Sequence, residues 1–267
     1  MKIMSVLSKR IGCVLIDLSG TLHIEDLPIP GAIESLQKLR DSQNLRLKFV
    51  TNTTKESKQT LLSRLTRIGF NIEEKEVFTS LTAARKLLEN RNLRPFYMLS
   101  EDALNDFSGI NSDEPNAVVV GLAPTEFHYE NMTKAFRLLL DGSTLVAIHK
   151  ARYYKRKDGL ALGPGAFVTA LEYSAGVKAE VVGKPEAAFF LSALSEVGET
   201  PEETVMIGDD AKDDVEGALK AGLSAILVKT GKYRPDDENT IEPKPTFVAE
   251  NFSKAVEFIL NHNSKFE

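Results

Sequence analysis

Apolar residues along the chain form two alternating kinds of pattern. Short, largely apolar segments, which predict strands of a parallel sheet, cover residues 12–17, 45–50, 204–207 and 224–228. Between these runs lie segments whose apolar positions recur every three or four residues, as Ile33, Leu36 and Leu39 do within the helix predicted over residues 32–40. Strands that alternate with helices predict a parallel α/β sheet.

The same patterns predict the remaining elements of this sheet. A short strand is expected over 77–80, and helices are expected over 55–68, 83–90, 186–197, 215–221 and 253–261. Gly69 and Gly222 are expected to end helices. Ser80 or Thr82 is expected to cap the helix that begins at residue 83.

The middle of the chain repeats the α/β pattern with elements of its own. Strands are predicted over 96–99, 117–121 and 145–149, and helices over 129–140 and 166–174. The basic and aromatic stretch 151–159 is expected to be a loop, either a solvated surface or a contact for substrate. We therefore predict a Rossmann-like core over residues 1–82 and 180–267, with a cap over 83–179 inserted in a crossover connection.

Composition narrows the class of protein. The 267 residues are 42% hydrophobic and 27% charged, as in ordinary globular proteins. A net charge of −5 argues against nucleic acid or an anionic membrane as the main partner, and no apolar run approaches the roughly 20 residues of a membrane span. Residues 1–10 are expected to be a loose leader without a secretory signal. The single cysteine, Cys13, excludes a disulfide framework and favours a buried thiol in a cytoplasmic protein.

Polar residues follow the predicted strands at the ends where ligands bind in open α/β sheets. Asp17 and Asp209 each follow a buried run, Thr51 and Asn52 follow another, and Lys184 precedes a helix. An aspartate can attack phosphorus as a nucleophile, and the oxygens of Asp17 and Asp209 suit Mg²⁺. Lys184 can neutralise phosphoryl oxygens. The Thr51 hydroxyl and the Asn52 backbone N–H can hold the transferring group at a helix N-terminus.

Four segments, residues 17–22, 50–52, 183–185 and 208–214, together resemble the four motifs of the haloacid dehalogenase superfamily, in the same order and across the whole chain. The insert resembles the larger, C2-type α/β cap of the nitrophenylphosphatase-like branch. The resemblance implies a three-layer Rossmann-like parallel-sheet core. It also implies a Mg²⁺-dependent phosphatase that forms an aspartyl-phosphate on a small phosphorylated substrate. Caps of this branch often pair, which indicates a homodimer.

The resemblance also implies a role for each matching residue. Asp17 would be the nucleophile and, with Asp209 and the backbone carbonyl of Ser19, a metal ligand. Asp214 matches an acidic position behind the metal ligands, for which Asp210 and Asp213 are alternatives. Asp17 and Lys184 would be the catalytic residues. The implied substrate-binding set is Asp17, Leu18, Ser19, Thr51, Asn52 and Lys184.

Ser19 is a departure from the family pattern. The family usually has a second aspartate there, which protonates the leaving group and later deprotonates the attacking water. A serine cannot do either near neutral pH, and loss of a general acid–base typically costs about 10²–10⁴-fold. We therefore expect weak turnover of alkyl phosphates and better turnover of pyrophosphate, aryl phosphate or phosphoramidate. His23 is an alternative proton donor. The competing hypothesis is a near-inactive phosphate-binding scaffold that kept the fold.

Overall fold

The computed structural model describes residues 7–42, 44–156 and 159–266, and the chain forms two compact units. The first unit comprises Met1–Thr51, Leu62–Phe78 and Lys184–Glu267. The second comprises Asn52–Leu61 and Thr79–Gly183.

The described strands are, in chain order, β1 (Cys13–Ile16), β2 (His23–Ile24), β3 (Leu27–Pro28), β4 (Arg46–Thr51), β5 (Val77–Thr79), β6 (Pro95–Met98), β7 (Ala117–Val120), β8 (Thr144–Ala147), β9 (Tyr153–Arg156), β10 (Gly159–Leu162), β11 (Glu180–Val181), β12 (Thr204–Gly208), β13 (Ser224–Val228) and β14 (Phe247–Ala249). The α-helices are α1 (Ala32–Asp41), α2 (Lys58–Ile68), α3 (Ser80–Asn90), α4 (Tyr129–Leu140), α5 (Pro164–Ala175), α6 (Ala187–Ser195), α7 (Gly217–Lys220) and α8 (Phe252–Asn263).

The larger sheet has six strands in the order β14-β13-β12-β1-β4-β5. Strand β1 pairs in parallel with β12 and β4, and every residue of β1 and β12 is buried, so both faces of the sheet are covered at its centre. This burial explains why these strands are continuous apolar runs in the sequence. The register opposes Ile16 to Ile207, so the residues that follow β1 and β12 emerge side by side.

The second unit has its own parallel sheet, with strand order β11-β8-β7-β6. Helices α4 and α5 pack against this sheet through apolar side chains such as Leu139, Val168 and Leu171. The expected fold class, a Rossmann-like parallel-sheet core with a second α/β domain inserted, is confirmed. In the part of the chain that the structure describes, no helix combines the length and hydrophobicity needed to cross a membrane.

Several expectations about local structure were wrong. Helix α3 begins at Ser80, and its cap is Thr79, whose hydroxyl oxygen accepts from the Thr82 backbone N–H at 2.9 Å, instead of Ser80 or Thr82. The stretch expected as a loop over 151–159 contributes to an antiparallel hairpin of β9 and β10, although residues 157 and 158 lie outside the described part. Strands β2, β3 and β14 were not predicted, because each has only two or three residues.

The helix expected over 215–221 begins earlier and in a different form. A π-helix covers Ala211–Glu216, and α7 continues from it. Of the leader expected to be loose, residues 1–6 lie outside the described part, whereas the carbonyl of Lys9 accepts from His262 at 2.8 Å. Cys13 is buried, as expected, and burial raises the pKa of its thiol to about 12.

Candidate functional site

Three aspartates meet at the carboxyl edge of the larger sheet. Asp17 follows β1, Asp209 follows β12, and Asp214 lies in the π-helix, and their exposed fractions are 6%, 1% and 1%. One carboxylate oxygen from each lies within 4.8 Å of the other two. The parallel register of β1 and β12 produces this convergence, because Asp17 and Asp209 leave neighbouring strands at the same end.

Lys184 connects two of these aspartates. Its ammonium donates to Asp17 Oδ1 and to Asp214 Oδ1, both at 2.6 Å, and to the carbonyl of Val50 at 3.3 Å. The side chain is only 4% exposed. Burial favours the neutral amine, but the charges of Asp17 and Asp214 outweigh it and raise the pKa of Lys184. The lysine therefore stays protonated.

The charges of this cluster do not balance. Three carboxylates face one ammonium, so the group carries a formal charge of −2 when all four are ionised. Burial, reinforced by the charge of Asp17, raises the pKa of Asp209 to about 7, and burial likewise raises the pKa of Asp214. An excess of buried negative charge is costly unless a cation offsets it. Carboxylate oxygens are the ligands that Mg²⁺ prefers, so Asp17, Asp209 and Asp214 fit a divalent metal ion.

The neighbouring acids have separate functions in the structure. Asp210 caps the π-helix, because its carboxylate accepts from the backbone N–H groups of Lys212 and Asp213 at 3.0 and 2.9 Å. Burial and the charge of Asp210 raise the pKa of Asp213 to about 6. Of the three candidates named from the sequence, Asp214 is the one that contacts Lys184.

Thr51 and Asn52 are consecutive residues but belong to different units. Thr51 is buried at the end of β4, in the first unit. Asn52 belongs to the second unit, where its Oδ1 lies 2.5 Å from the point that a Cβ on Gly183 would occupy. Leu18 is buried, and its carbonyl accepts from the backbone N–H of Leu22 at 2.8 Å. The side chain of Ser19 is exposed.

His23 is buried at the start of β2, in the hairpin of β2 and β3. Its Nδ1 lies 2.8 Å from the carbonyl of Glu25, so Nδ1 donates its proton to an oxygen of the same hairpin. This contact gives no support for His23 as a proton donor through Nδ1.

Three residues around the acids were missed by the sequence analysis. Thr21 places its hydroxyl 3.4 Å from Asp17 Oδ2, the backbone N–H of Lys232 donates to Asp209 Oδ2 at 2.6 Å, and the Thr230 hydroxyl donates to the carbonyl of Gly20 at 2.5 Å. Thr230 and Lys232 lie just after β13, so the rule that polar residues after a strand lie at the ligand-binding edge places both residues there, but it does not predict their contacts with Gly20 and Asp209.

Comparison with known families places the chain among hydrolases. Residues 14–110 match a family model described as haloacid dehalogenase-like hydrolase, and residues 181–255 match a second, related hydrolase model. The chain is 61% identical over 254 residues to haloacid dehalogenase-like hydrolase domain-containing protein 2 of Homo sapiens, covering 95% of this chain and 98% of that protein. It is 40% identical to the human phospholysine phosphohistidine inorganic pyrophosphate phosphatase, covering 94% and 95%.

Solved structures give the same result. The 4-nitrophenylphosphatase of Thermotoga maritima superposes with a TM-score of 0.85 at 28% identity, over 92% of this chain and 97% of that one. A glycerol phosphate phosphatase of Mycobacterium tuberculosis, solved in complex with magnesium, superposes with a TM-score of 0.81 at 29% identity, over 91% and 77%.

Proposed function

The chain belongs to the haloacid dehalogenase-like hydrolases, and from this membership we propose that it is a Mg²⁺-dependent phosphatase that forms an aspartyl-phosphate on Asp17. The observation that carries the proposal is the buried contact of Asp17 with Lys184, beside Asp209 and Asp214. A nucleophile, a fixed cation and a candidate metal site are thereby held in one cluster, which suits phosphoryl transfer.

In the first step, an oxygen of Asp17 attacks phosphorus, a carboxylate O–P bond forms, and the bond from phosphorus to the leaving group breaks, at oxygen in an ester or anhydride and at nitrogen in a phosphoramidate. The leaving atom departs with the bonding electron pair. Lys184, already bound to Asp17 Oδ1, stabilises the negative charge on the phosphoryl oxygens as they approach the carboxylate. Thr51 and Asn52 are proposed to hold the phosphoryl group, and Leu18 and Ser19 contribute backbone contacts.

In the second step, a water oxygen attacks phosphorus and the O–P bond to Asp17 breaks, which releases inorganic phosphate and restores the carboxylate. The attacking water loses its proton to solvent, because Ser19 offers no base. Because Ser19 also cannot act as a general acid, protonation of a leaving alkoxide in the first step is slow. We therefore propose a preference for good leaving groups such as pyrophosphate, aryl phosphate or phosphoramidate.

The metal site is proposed to consist of Asp17, Asp209 and the carbonyl of Ser19. Asp214 is proposed to lie next to these ligands without binding the metal ion directly. A bound Mg²⁺ would neutralise charge between these carboxylates and the phosphate dianion. The buried carboxylates of Asp17 and Asp209, and the formal charge of −2 on the cluster that they form with Asp214 and Lys184, support this assignment.

The two α/β domains are proposed to have different tasks. Residues 1–82 and 180–267 supply the catalytic groups, and residues 83–179, a C2-type cap, select the substrate. The cytoplasmic location and the homodimer stay predictions.

The proposal is tested by phosphate release from pyrophosphate and p-nitrophenyl phosphate, with Mg²⁺ or with EDTA. We expect metal-dependent release by the wild type and none by Asp17→Asn. Asp213→Asn is a matched control, since Asp213 is a neighbouring acid that we assign no direct part in the reaction. Equal release by the wild type and Asp17→Asn would contradict the proposal.

A second candidate function is a phosphate-binding scaffold with little turnover, and Ser19 is the observation that favours it. In that case neither substrate would release phosphate, although Mg²⁺ and inorganic phosphate would still bind. The retained cluster of Asp17, Lys184 and Asp209 favours the enzyme, because a scaffold has no need of a nucleophile.

A further inference from the structure

The loop that follows β13 contacts two parts of the acidic site at once. The hydroxyl of Thr230 donates to the carbonyl of Gly20 at 2.5 Å, and the backbone N–H of Lys232 donates to Asp209 Oδ2 at 2.6 Å. Gly20 belongs to the turn that begins at Asp17, so one short loop holds both the nucleophile turn and a candidate metal ligand.

Two glycines permit this close approach. Gly20 and Gly231 have φ angles of 96° and 56°, in the left-handed region that glycine tolerates best. A Cβ on either residue would lie 2.1 Å from Asp209 Oδ2, and a Cβ on Gly231 would also lie 2.5 Å from the Cα of Gly20. The two backbones and the Asp209 carboxylate are therefore in contact, and a side chain on either glycine would separate them.

We propose that Thr230 is a positioning residue for the metal ion. Its hydroxyl fixes the carbonyl of Gly20 and, through the chain, the preceding Ser19 carbonyl that we assign as a metal ligand. In the same loop, the backbone N–H of Lys232 donates to Oδ2 of Asp209, so Oδ1 is the oxygen that we assign to the metal ion. The inference rests on the proposed function, because it gives Thr230 a task only if the acidic cluster binds a metal ion.

The physical reason is the strictness of Mg²⁺ coordination. Mg²⁺ requires near-octahedral geometry at short distances, so ligands that drift by a few tenths of an ångström bind it poorly. Hydrogen bonds to the ligands restrict this drift, and removing such an outer partner typically costs about 10–100-fold in metal affinity. The Lys232 backbone N–H is such a partner for Asp209, and Thr230 acts one residue away from a ligand, on the Gly20 carbonyl that follows the carbonyl of Ser19.

The test is direct titration with Mn²⁺, followed by electron paramagnetic resonance of the free ion, and with Mg²⁺ by calorimetry. Thr230→Val keeps the shape of the side chain but removes the hydroxyl, and we expect its metal affinity to fall about 10–100-fold. Thr230→Ser keeps the hydroxyl and should bind metal as the wild type does. At saturating Mg²⁺, kcat and KM should return toward wild-type values in Thr230→Val, because the reacting groups are unchanged.

Thr240→Val is the matched control. Thr240 also donates its hydroxyl to a backbone carbonyl in the same unit, that of Asp237 at 2.8 Å, but it has no contact with the acidic cluster in the described structure. It should bind metal normally. Should Thr230→Val fail to fold by circular dichroism, Thr230→Ala replaces it, because it introduces no methyl group against the turn.

Two results would overturn the inference. One is wild-type metal affinity in Thr230→Val, and the other is an affinity as weak in Thr230→Ser as in Thr230→Val, since the hydroxyl would then not matter. Failure of the proposed function itself has a different signature. In that case the wild type binds no metal ion, or Asp17→Asn keeps full activity.

Discussion

At the scale of single residues, the three aspartates of the site have two kinds of partner. Asp17 and Asp214 share the ammonium of Lys184, whereas Asp209 accepts a backbone N–H from the loop after β13. Removing a carboxylate from water costs several kcal/mol unless such partners replace the water. The shared lysine thus explains how two carboxylates can lie buried so close together.

Ser19 provides a prediction at this scale. Ser19→Asp should raise kcat/KM for an alkyl phosphate such as glycerol phosphate by about 10²–10⁴-fold, since it restores a general acid–base. The gain for p-nitrophenyl phosphate should be much smaller, because nitrophenolate leaves without protonation. Steady-state kinetics on both substrates measures the difference.

Ser19→Asn is the control for this experiment, since it adds the same bulk without an ionisable group. Our explanation of Ser19 would be refuted by an equal gain in Ser19→Asn, or by no gain in Ser19→Asp on the alkyl ester.

Motif spacing predicted much of the cluster because carboxyl ends of parallel strands meet at one edge. Asp17, Lys184 and Asp209 needed only that rule and the family resemblance. The rule could not say which acid after Asp209 contacts Lys184, because that depends on the π-helix over Ala211–Glu216, for which the sequence has no clear signal. Contacts from Thr230 and Lys232 were equally hidden, since they depend on how two loops approach.

At the scale of elements, helix α2 shows how carboxylates from another segment complete a helix N-terminus. Its cap is Ser57, whose hydroxyl accepts from the Thr60 backbone N–H at 3.2 Å, but no acidic residue lies in its first turn. In addition, the carboxylate of Asp102 accepts from the Ser57 backbone N–H at 2.8 Å, and that of Asp106 accepts from the Lys58 backbone N–H at 3.0 Å. Carboxylates at a helix N-terminus satisfy unpaired N–H groups and interact favourably with the helix dipole.

Asp102 yields a pH-dependent prediction. Its pKa is lowered, first by the Ser57 N–H and then by the hydroxyls of Thr60 and Ser57, which bind the charged form. A lowered pKa in the folded state means that the stabilisation is complete above the ordinary aspartate value of about 4 and is lost as the pH falls through the folded pKa. Asp102→Ala should therefore destabilise the protein near neutral pH and progressively less in acid, by at most about 1 kcal/mol because this carboxylate is partly exposed to solvent.

Thermal unfolding at several pH values, with hydrogen exchange of the α2 amides, measures this effect. Asp113→Ala is the control, because Asp113 is exposed and its side chain caps no helix in the described structure. A difference between Asp102→Ala and wild type that does not shrink as the pH falls below the ordinary aspartate pKa would contradict the assignment.

The longer elements were predictable, whereas among the shortest strands β5 was expected and β2, β3 and β14 were not. Helix α4 lies at Tyr129–Leu140, as its apolar spacing indicated, because twelve residues contain enough turns to define a period. Strands β2, β3 and β14 have only two or three residues, which is too few for an alternating pattern. The hairpin of β9 and β10 was read as a loop because its charged residues mask any alternation.

At the scale of the whole molecule, two distant parts of the chain are tied together in the first unit. The side-chain amide of Asn263, at the end of α8, accepts from the backbone N–H of Ile11 and donates to its carbonyl, both at 2.9 Å. Asn263 thereby satisfies the backbone N–H and carbonyl of Ile11, the residue that leads into β1, as a neighbouring strand would. Since β1 ends beside Asp17, the proposed nucleophile, this contact also supports the candidate site.

Asn263→Ala should destabilise the first unit by about 1–3 kcal/mol, because the N–H and carbonyl of the buried Ile11 lose their partners. Denaturant unfolding measures the change. Asn261→Ala is the control, since Asn261 lies in the same helix with an exposed side chain and the same change in helix propensity. Equal effects of the two substitutions would mean that the contact with Ile11 contributes nothing.

The central claim is that Asp17 carries the phosphoryl group, and acid-quench trapping followed by peptide mass spectrometry tests it most directly. With p-nitrophenyl phosphate and Mg²⁺, we predict a phosphorylated peptide that contains Asp17. The phosphoenzyme should accumulate because Ser19 cannot speed its hydrolysis, and it should be absent from Asp17→Asn. Turnover without a phosphorylated Asp17, or phosphate on another residue, would contradict the account.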